Sequence, residues 1–324
     1  MNVMVTGATG LVGGFVVDRL LERGDLVTAL VRSPERAAPL AARGVRLVAG
    51  DLADTVAIDA AVRDQQVVYH IAGVLGGRHE ADLMVPNRDG TLRVAHACVA
   101  QRVPPRLVLV SSMAAGGPSR HGAPKMAAGD DHPVTMYGRS KLAAERLLPS
   151  LALPWTVLRP PVVYGPRERE NLLPFFKAAR FGLAPILGDG SMELSLIHVA
   201  DLADAVVIAG TAADVLGEVF YVNHPDVVTA ANLMRAIAHA LDRNVMPLPI
   251  PRWAVRAALT VTGAWADLFH KPSVLHPDKL HEFFQEAWTA DPAAFTAASG
   301  WRPRWNLDDG LADTAAWYRA ERWI

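Results

Sequence analysis

The sequence predicts an α/β fold: a doubly wound parallel sheet with a smaller, mostly helical C-terminal region. Three observations lead there. Short apolar strands recur through the first half of the chain. Helical patterns separate them, so each strand must cross over to pair in parallel with another. The strands also read as continuous apolar runs, as a sheet covered on both faces requires.

The first strand spans residues 2–6 and ends in Thr6-Gly7. A helix is expected from about Gly10 to Glu22, carrying apolar Leu11, Phe15, Val16, Leu20 and Leu21, and Gly24 closes it. Further strands are expected at Leu26–Val31, Arg46–Ala49, Val67–Ile71, Leu107–Val110 and Trp155–Leu158. After Pro160 the rhythm changes. Pro160, Pro161, Pro166 and Pro174 interrupt the pattern, and most of the tryptophans lie beyond residue 250. Residues 1–165 read as one unit, with a returning piece near 195–225 in which Glu218–Val222 rejoins the main sheet. Residues 166–324 read as a second, substrate-facing region.

Composition narrows the functional classes. The chain has 324 residues, 51% of them apolar, and a net charge of −1. That supports a large core and argues against disorder and against nucleic acid as a partner, which would favour a basic face. The single cysteine, Cys98, reads as a small core residue and can build neither a disulfide framework nor a zinc site. The N-terminal residues lack the pattern of a signal peptide, and no apolar run reaches the ~20 residues of a membrane span. A cytoplasmic, soluble protein is expected.

The first strand runs into Thr6-Gly7-Ala8-Thr9-Gly10-Leu11-Val12-Gly13, which opens the first helix. Glycines there let the backbone turn sharply and approach a pyrophosphate, while the helix N-terminus offers free N–H groups. Gly7, Thr9, Gly10, Leu11 and Gly13 are therefore candidate dinucleotide contacts in a Rossmann-type fold. The end of the second strand selects between cofactors. An acid would read the 2′-hydroxyl of NAD, but the position carries Arg32, which suits a 2′-phosphate and favours NADP(H) over NAD(H). Asp51-Leu52 follows the third strand, where a carboxylate either meets an adenine amino group or caps the next helix.

Tyr137-Gly138-Arg139-Ser140-Lys141 leads into a helical stretch, so Tyr137 and Lys141 share one helix face. A phenol with its ordinary pKa of ~10 is a poor acid or base at neutral pH, and a nearby ammonium lowers that pKa. Upstream, the strand Leu107–Val110 ends in Ser111-Ser112, where ligands bind in open parallel sheets. A hydroxyl there can polarise a substrate carbonyl.

These motifs together resemble the extended short-chain dehydrogenase/reductase superfamily. The resemblance rests on the Thr6–Gly13 turn, Asp51-Leu52, His70-Ile71-Ala72-Gly73, Ser111-Ser112, Tyr137/Lys141 and Arg159-Pro160-Pro161-Val162-Val163-Tyr164-Gly165-Pro166. It extends through His198-Val199-Ala200-Asp201-Leu202 to Gly300-Trp301-Arg302-Pro303 and Trp317-Tyr318, nearly the whole chain. It implies that Ser112 polarises the carbonyl, that Tyr137 is the acid/base and that Lys141 clamps the cofactor ribose. It also places Ala72, Asn87 and Pro160 near the cofactor, and a homodimer is common in such proteins. His70 and His198 read as packing or local hydrogen-bonding residues.

Two enzymatic branches compete. Nucleotide-sugar epimerases and dehydratases of this superfamily usually carry an Asn just before the Val-Tyr-Gly-Pro turn and an Arg before the His-Val-x-Asp segment. Here those regions read Pro160-Pro161-Val162-Val163 and Ser191-Met192-Glu193-Leu194-Ser195-Leu196-Ile197. A diphosphate would lack those counter-charges, unless Arg167, Arg169 or Lys177 supplied them. The pattern looks more like the branch of 3β-hydroxysteroid dehydrogenases and related ketone or aldehyde reductases. A small-molecule carbonyl or alcohol with a largely apolar body is the expected partner. The apolar stretch Pro247–Phe269, with Trp253, Val255, Leu259, Val261, Trp265, Leu268 and Phe269, is compatible with a pocket wall, a membrane-surface contact or an ordinary packed helix. A non-catalytic dinucleotide-binding subunit would often have lost the Tyr or the Lys, and both are present.

Overall fold

The computed structural model describes residues 1–268 and 277–324, and the side chains of 1–262 and 277–324. Seven strands build the main sheet: β1 (Asn2–Thr6), β2 (Leu26–Val31), β3 (Arg46–Ala49), β4 (Val67–His70), β5 (Arg106–Val110), β6 (Trp155–Arg159) and β7 (Val219–Tyr221). Their order is β7-β6-β5-β4-β1-β2-β3, and every pairing is parallel. The expected strands agree with these to within one residue at either end.

The continuous apolar runs are explained by what covers them. On β1, Val3 and Val5 face one helical layer while Met4 faces the other. Strand β4 divides the same way, with Val67 and Tyr69 on one side and Val68 on the other. The first layer holds the helices Leu11–Glu22 and Val199–Ala209, which pack through Val16, Val17, Leu20, Leu202, Ala203 and Val206. The second holds Thr55–Val62 and Gly90–Val99, where Cys98 is buried as the core residue it was expected to be. A period-2 strand buried on both faces has no polar face to show, so the alternation is invisible in hydropathy.

A separate apolar cluster forms beyond the sheet. Leu172, Phe176, Leu233, Ile237, Leu311 and Tyr318 join the helices Leu173–Arg180, Ala230–Ala240 and Leu307–Ala320. Against it lies a two-stranded parallel ribbon, Leu183–Leu187 with Met246–Ile250. The ribbon runs into the helix Arg252–Leu268. Val255 and Leu259 of that helix are buried, whereas Trp253 and Val261 are exposed. The side chains of Trp265 and Leu268, and Phe269 altogether, lie outside the described residues. Among the described residues, no helix is long and apolar enough to cross a membrane.

Strand order reverses on either side of β1, which sits between β4 and β2. The carboxyl ends of β1 and β4 flank this reversal, with β5 and β6 beside them, and open parallel sheets bind ligands in a crevice at such a point.

Candidate active site

Apart from Asn87, which lies in the helical turn Val85–Asp89, each residue expected at the site follows a strand end of this sheet or lies on the helix Met136–Glu145. After β1 the chain turns at Gly7, with φ +74°. The Gly10 N–H bonds the Gly7 carbonyl at 2.9 Å, and the Gly14 N–H opens the helix on the Gly10 carbonyl. A Cβ at Gly13 would fall 2.1 Å from the Gly7 oxygen, so only glycine lets the helix start this close to the turn. No side chain caps this helix and its first turn holds no acid, leaving its N–H groups directed toward an anion. Thr9 and Gly10 are exposed at the mouth of the turn, and Leu11 is half-buried.

Arg32 is exposed at the end of β2 and forms no ion pair or side-chain hydrogen bond among the described residues. Asp51 does not cap the following helix. Its carboxylate accepts from the Ala53 N–H at 2.7 Å, and the cap is Asp54, which accepts from the Ala57 N–H at 2.9 Å. Leu52 packs against the start of the Gly90–Val99 helix.

At the end of β4 a buried hydrogen-bond chain orders the floor of the crevice. The Ile71 and Ala72 N–H groups both donate to Thr6 Oγ1 at 3.1 Å. Thr6 Oγ1 lies 2.7 Å from His70 Nδ1, and His70 Nε2 lies 3.0 Å from Thr91 Oγ1, which donates to the Asn87 carbonyl. With the Thr91 proton committed there, His70 must donate through Nε2 and accept through Nδ1. The imidazole is neutral: burial, and secondarily the charge of Lys141, push its pKa down to about 3. His70 thus ties strand ends together, as the sequence suggested.

Asn87 is buried and fully engaged. Its Oδ1 accepts from the Val74 N–H at 2.9 Å, and its Nδ2 donates to the Val74 carbonyl and to Ser140 Oγ. It therefore fastens the loop after β4 to the Met136–Glu145 helix, in which Ser140 lies between Tyr137 and Lys141.

Thr135 caps that helix through the Gly138 N–H at 3.1 Å. Ser112, after β5, caps the short turn Met113–Gly116. The two meet at Gly138, where a Cβ would fall 2.3 Å from the Ala114 carbonyl oxygen. The Tyr137 phenol lies close enough to the Ser112 side chain to feel it electrostatically. Lys141 is buried, its Nζ donating to the Val110 carbonyl at 3.1 Å and standing 6.0 Å from the Tyr137 ring centre. Burial pushes the Lys141 pKa down to about 8, against the opposing pull of Glu145.

The expectation that Lys141 lowers the Tyr137 pKa is corrected here. Burial raises that pKa above its ordinary value, Ser112 draws it partly back, and the charge of Glu282 adds to the rise. With its ammonium tied to Val110, Lys141 is not the group that acts on the phenol in this arrangement. The protonated phenol is a proton donor held beside a second hydroxyl.

The sequence reading missed the cluster beneath these groups. The Ser111 hydroxyl donates to Glu145. Arg159, at the end of β6, donates through Nε to Glu145 Oε1 and Oε2 at 3.0 and 3.1 Å. Its Nη1 and Nη2 reach Asp131 at 2.6 and 2.9 Å, and Nη1 also reaches the Tyr221 hydroxyl. Arg159 is 1% exposed. Burial alone would weaken its charge, but Asp131 and Glu145 more than offset that and hold it protonated. Pro160 follows, its carbonyl accepting from the Met113 N–H at 2.8 Å. No short-range signal marks this cluster, because its members, Ser111, Asp131, Glu145, Arg159 and Tyr221, come from five separated segments.

The crevice fits a dinucleotide on its own evidence. The uncapped helix and its glycine turn suit a pyrophosphate, Arg32 has no ion pair among the described residues, and at Gly73 a Cβ would crowd Lys141 Nζ at 3.1 Å.

Fold and site define an NAD(P)-dependent enzyme of the extended short-chain dehydrogenase/reductase class. The chain belongs to the NAD dependent epimerase/dehydratase family, whose model matches residues 3–222. It is 31% identical to a ceramide reductase of Caulobacter vibrioides over 99% of this chain and 96% of that protein. It is 26% identical to a UDP-glucose 4-epimerase of Vibrio cholerae, over 97% and 94% of the two chains. Among solved structures, the UDP-glucose 4-epimerase of Thermotoga maritima with UDP-glucose superposes with a TM-score of 0.78 at 21% identity, covering 99% of this chain and 100% of that one.

The buried cluster yields a prediction. Arg159→Met leaves Glu145 and Asp131 without their counter-charge, and the expected cost is about 3–5 kcal/mol of folding stability, read by urea unfolding at neutral pH. A loss below about 1 kcal/mol would show that the carboxylates find other partners.

Proposed function

We propose that this protein interconverts a carbonyl and an alcohol on a largely apolar small molecule, using NADP(H) in preference to NAD(H). The carrying observation is the buried apolar cluster that begins at Met113, the residue after Ser112. Met113, Tyr221, Trp288 and Ala290 form a buried cluster, with Val134, Met192 and Leu194 packed against it. In the segment before His198, where a sugar-nucleotide enzyme carries an arginine, Glu193 lies 3.3 Å from His121 and accepts from the Gly122 N–H. The alternative cations are elsewhere: Arg167 pairs with Asp18, Arg169 stacks on Trp323 at 4.4 Å, and Lys177 is exposed. A diphosphate at this cluster would be desolvated without the arginine that sugar-nucleotide enzymes place there, whereas an apolar body gains about 25 cal/mol per Å² removed from water. The likeness to a ceramide reductase supports the same reading.

In this reading residues 1–165, with the returning piece near 195–225, hold the dinucleotide, and 166–324 shape the substrate side. Gly7, Thr9, Gly10, Leu11 and Gly13 would cradle the pyrophosphate and Arg32 the 2′-phosphate. Asp51, Leu52, Ala72, Ser111 and Pro160 would line the rest, with Asn87 holding the loop that carries Ala72. When bound, the cofactor supplies or accepts the hydride. Ser112 donates a hydrogen bond to the substrate carbonyl oxygen. Tyr137, protonated at neutral pH, would give its proton to that oxygen as negative charge develops, and in the oxidative direction its phenolate would take the proton from the alcohol. Lys141 presents its ammonium to the ribose once it leaves the Val110 carbonyl.

Purified protein assayed at 340 nm should turn over aromatic or long-chain ketones and leave UDP- and GDP-sugars unchanged. Tyr137→Phe should lower that rate by roughly 10²–10⁴ while preserving cofactor affinity. Epimerised sugar nucleotide with no net change in cofactor redox state would reverse the substrate assignment. Full turnover by Tyr137→Phe would remove the proton-donor role.

Calorimetric titration tests the cofactor. NADP(H) should bind about ten- to a hundredfold more tightly than NAD(H), and Arg32→Ala should erase the difference. Equal affinities in the wild-type protein would mean that Arg32 reads nothing.

A further inference from the structure

We propose that the face formed by the Leu183–Leu187/Met246–Ile250 ribbon and the first turns of the Arg252–Leu268 helix docks on the surface of an anionic lipid bilayer. Large apolar side chains concentrate there in the open. Phe181 is 77% exposed, Met246 63%, Trp253 73% and Val261 67%. They are joined by structure. The ribbon register sets Met246 beside Leu183, Phe181 lies two residues before Leu183, and the exposed Leu248 follows on the strand that leads through Pro251 into the helix. On the helix, Trp253 and Val261 are eight residues apart with exposed Ala257 midway, so they share one stripe. Val255 and Leu259 fill the opposite, buried stripe. The described turns of the helix are thus apolar on two faces, and only one is covered by protein.

The charges around these residues select the partner. Lys177, Arg180, Arg243, Arg252 and Arg256 are all exposed, and none is in an ion pair among the described residues. Arg180 and Arg252 lie over the rings of Phe181 and Phe284, at 5.9 and 5.0 Å. The acids of the ribbon and its flanking turns are Asp189 and Asp242, Asp267 lies in the last turn of the helix by sequence, Glu286 lines the adjoining cleft, and Asp189 feels the charge of Arg252. Unpaired cations on long side chains, rimming exposed aromatic and aliphatic groups, are the complement of anionic headgroups over acyl chains. A protein partner of acidic character would match the cations but not the scatter of single apolar side chains along an edge strand. Prolines at 247 and 249 also leave that strand few N–H groups with which to pair another strand.

The face also adjoins a cleft of about 610 Å³ lined by Leu187, Asp189, Met192, Arg252 and Phe284. Met192 packs against the apolar cluster that holds Met113, so a molecule leaving the bilayer at this face would approach the proposed substrate side.

The test needs no substrate, so its failure leaves the proposed chemistry standing. Full-length protein is floated with vesicles of phosphatidylcholine alone and with phosphatidylglycerol added. Binding to the anionic vesicles is expected, falling with added salt. Trp253→Glu with Met246→Glu should lower the bound fraction about tenfold, and Arg180→Glu with Arg256→Glu should lower it comparably. Unchanged cofactor affinity in both variants shows that they fold. The proposal is overturned if the protein stays with the unbound fraction, if it binds both vesicle types alike, or if the variants bind as well as wild type. It is equally overturned if light scattering finds a dimer that Trp253→Glu dissociates, since that would assign the face to a second copy of the chain.

Discussion

The helix Met136–Glu145 approaches the Met113–Gly116 turn so closely that a single methyl group at Gly138 would meet the Ala114 carbonyl oxygen at 2.3 Å. That approach sets Tyr137 beside Ser112, and with it the relation between the proposed proton donor and the proposed carbonyl-binding hydroxyl. Both partners are anchored from outside the contact. Thr135 caps one element and Ser112 the other, while Asn87 ties the middle of the helix to the loop after β4. The far end of the helix is held by Glu145 on Arg159. Since Arg159 also grips Asp131 in the segment that leads into Thr135, both ends of the helix are fixed to one guanidinium.

This arrangement places two buried charges, Arg159 and Glu145, and the half-buried Asp131 close to Ser111 and the Met136–Glu145 helix. A buried ion pair is weak evidence for stability, because desolvation offsets most of the attraction. Its value here is geometric. A guanidinium that satisfies two carboxylates and a tyrosine hydroxyl leaves few alternative packings for the strand end that carries it. The same logic explains His70. Held neutral by burial and bonded on both ring nitrogens, it aligns the ends of β1 and β4 without presenting a titratable group to the crevice.

What the sequence disclosed depended on how local the signal was. The glycine turn, the strand ends and the Tyr137/Lys141 spacing are written within a few residues each, and their placement followed from helix and strand geometry. Other features join segments far apart. Glu145, Asp131 and Arg159 look like solvated charges until the fold closes over them, and Gly138 looks like a tolerated helix glycine until the Ala114 carbonyl is seen beside it. Asp51 and Asp54 sit in the same loop, and only the backbone direction shows that the second is the cap. The three-stranded piece Val228–Thr229, Glu193–Leu194 and Ala287–Trp288 has strands of two residues, too short for any periodicity. The Lys141 correction has the same origin, since the ammonium's tie to Val110 depends on a neighbouring strand end.

The central claim is that the close approach at Gly138 creates the catalytic relation between Ser112 and Tyr137. It is tested most directly by measuring the carbonyl-reduction rate and the cofactor affinity of Gly138→Ala beside the wild-type protein. The added methyl must push the helix off the Ala114 carbonyl and move Tyr137 away from Ser112. The account predicts a folded variant whose cofactor affinity stays within about threefold and whose rate falls by roughly 10². A variant that turns over at the wild-type rate would contradict it, because the site would then work without the contact from which its geometry is derived.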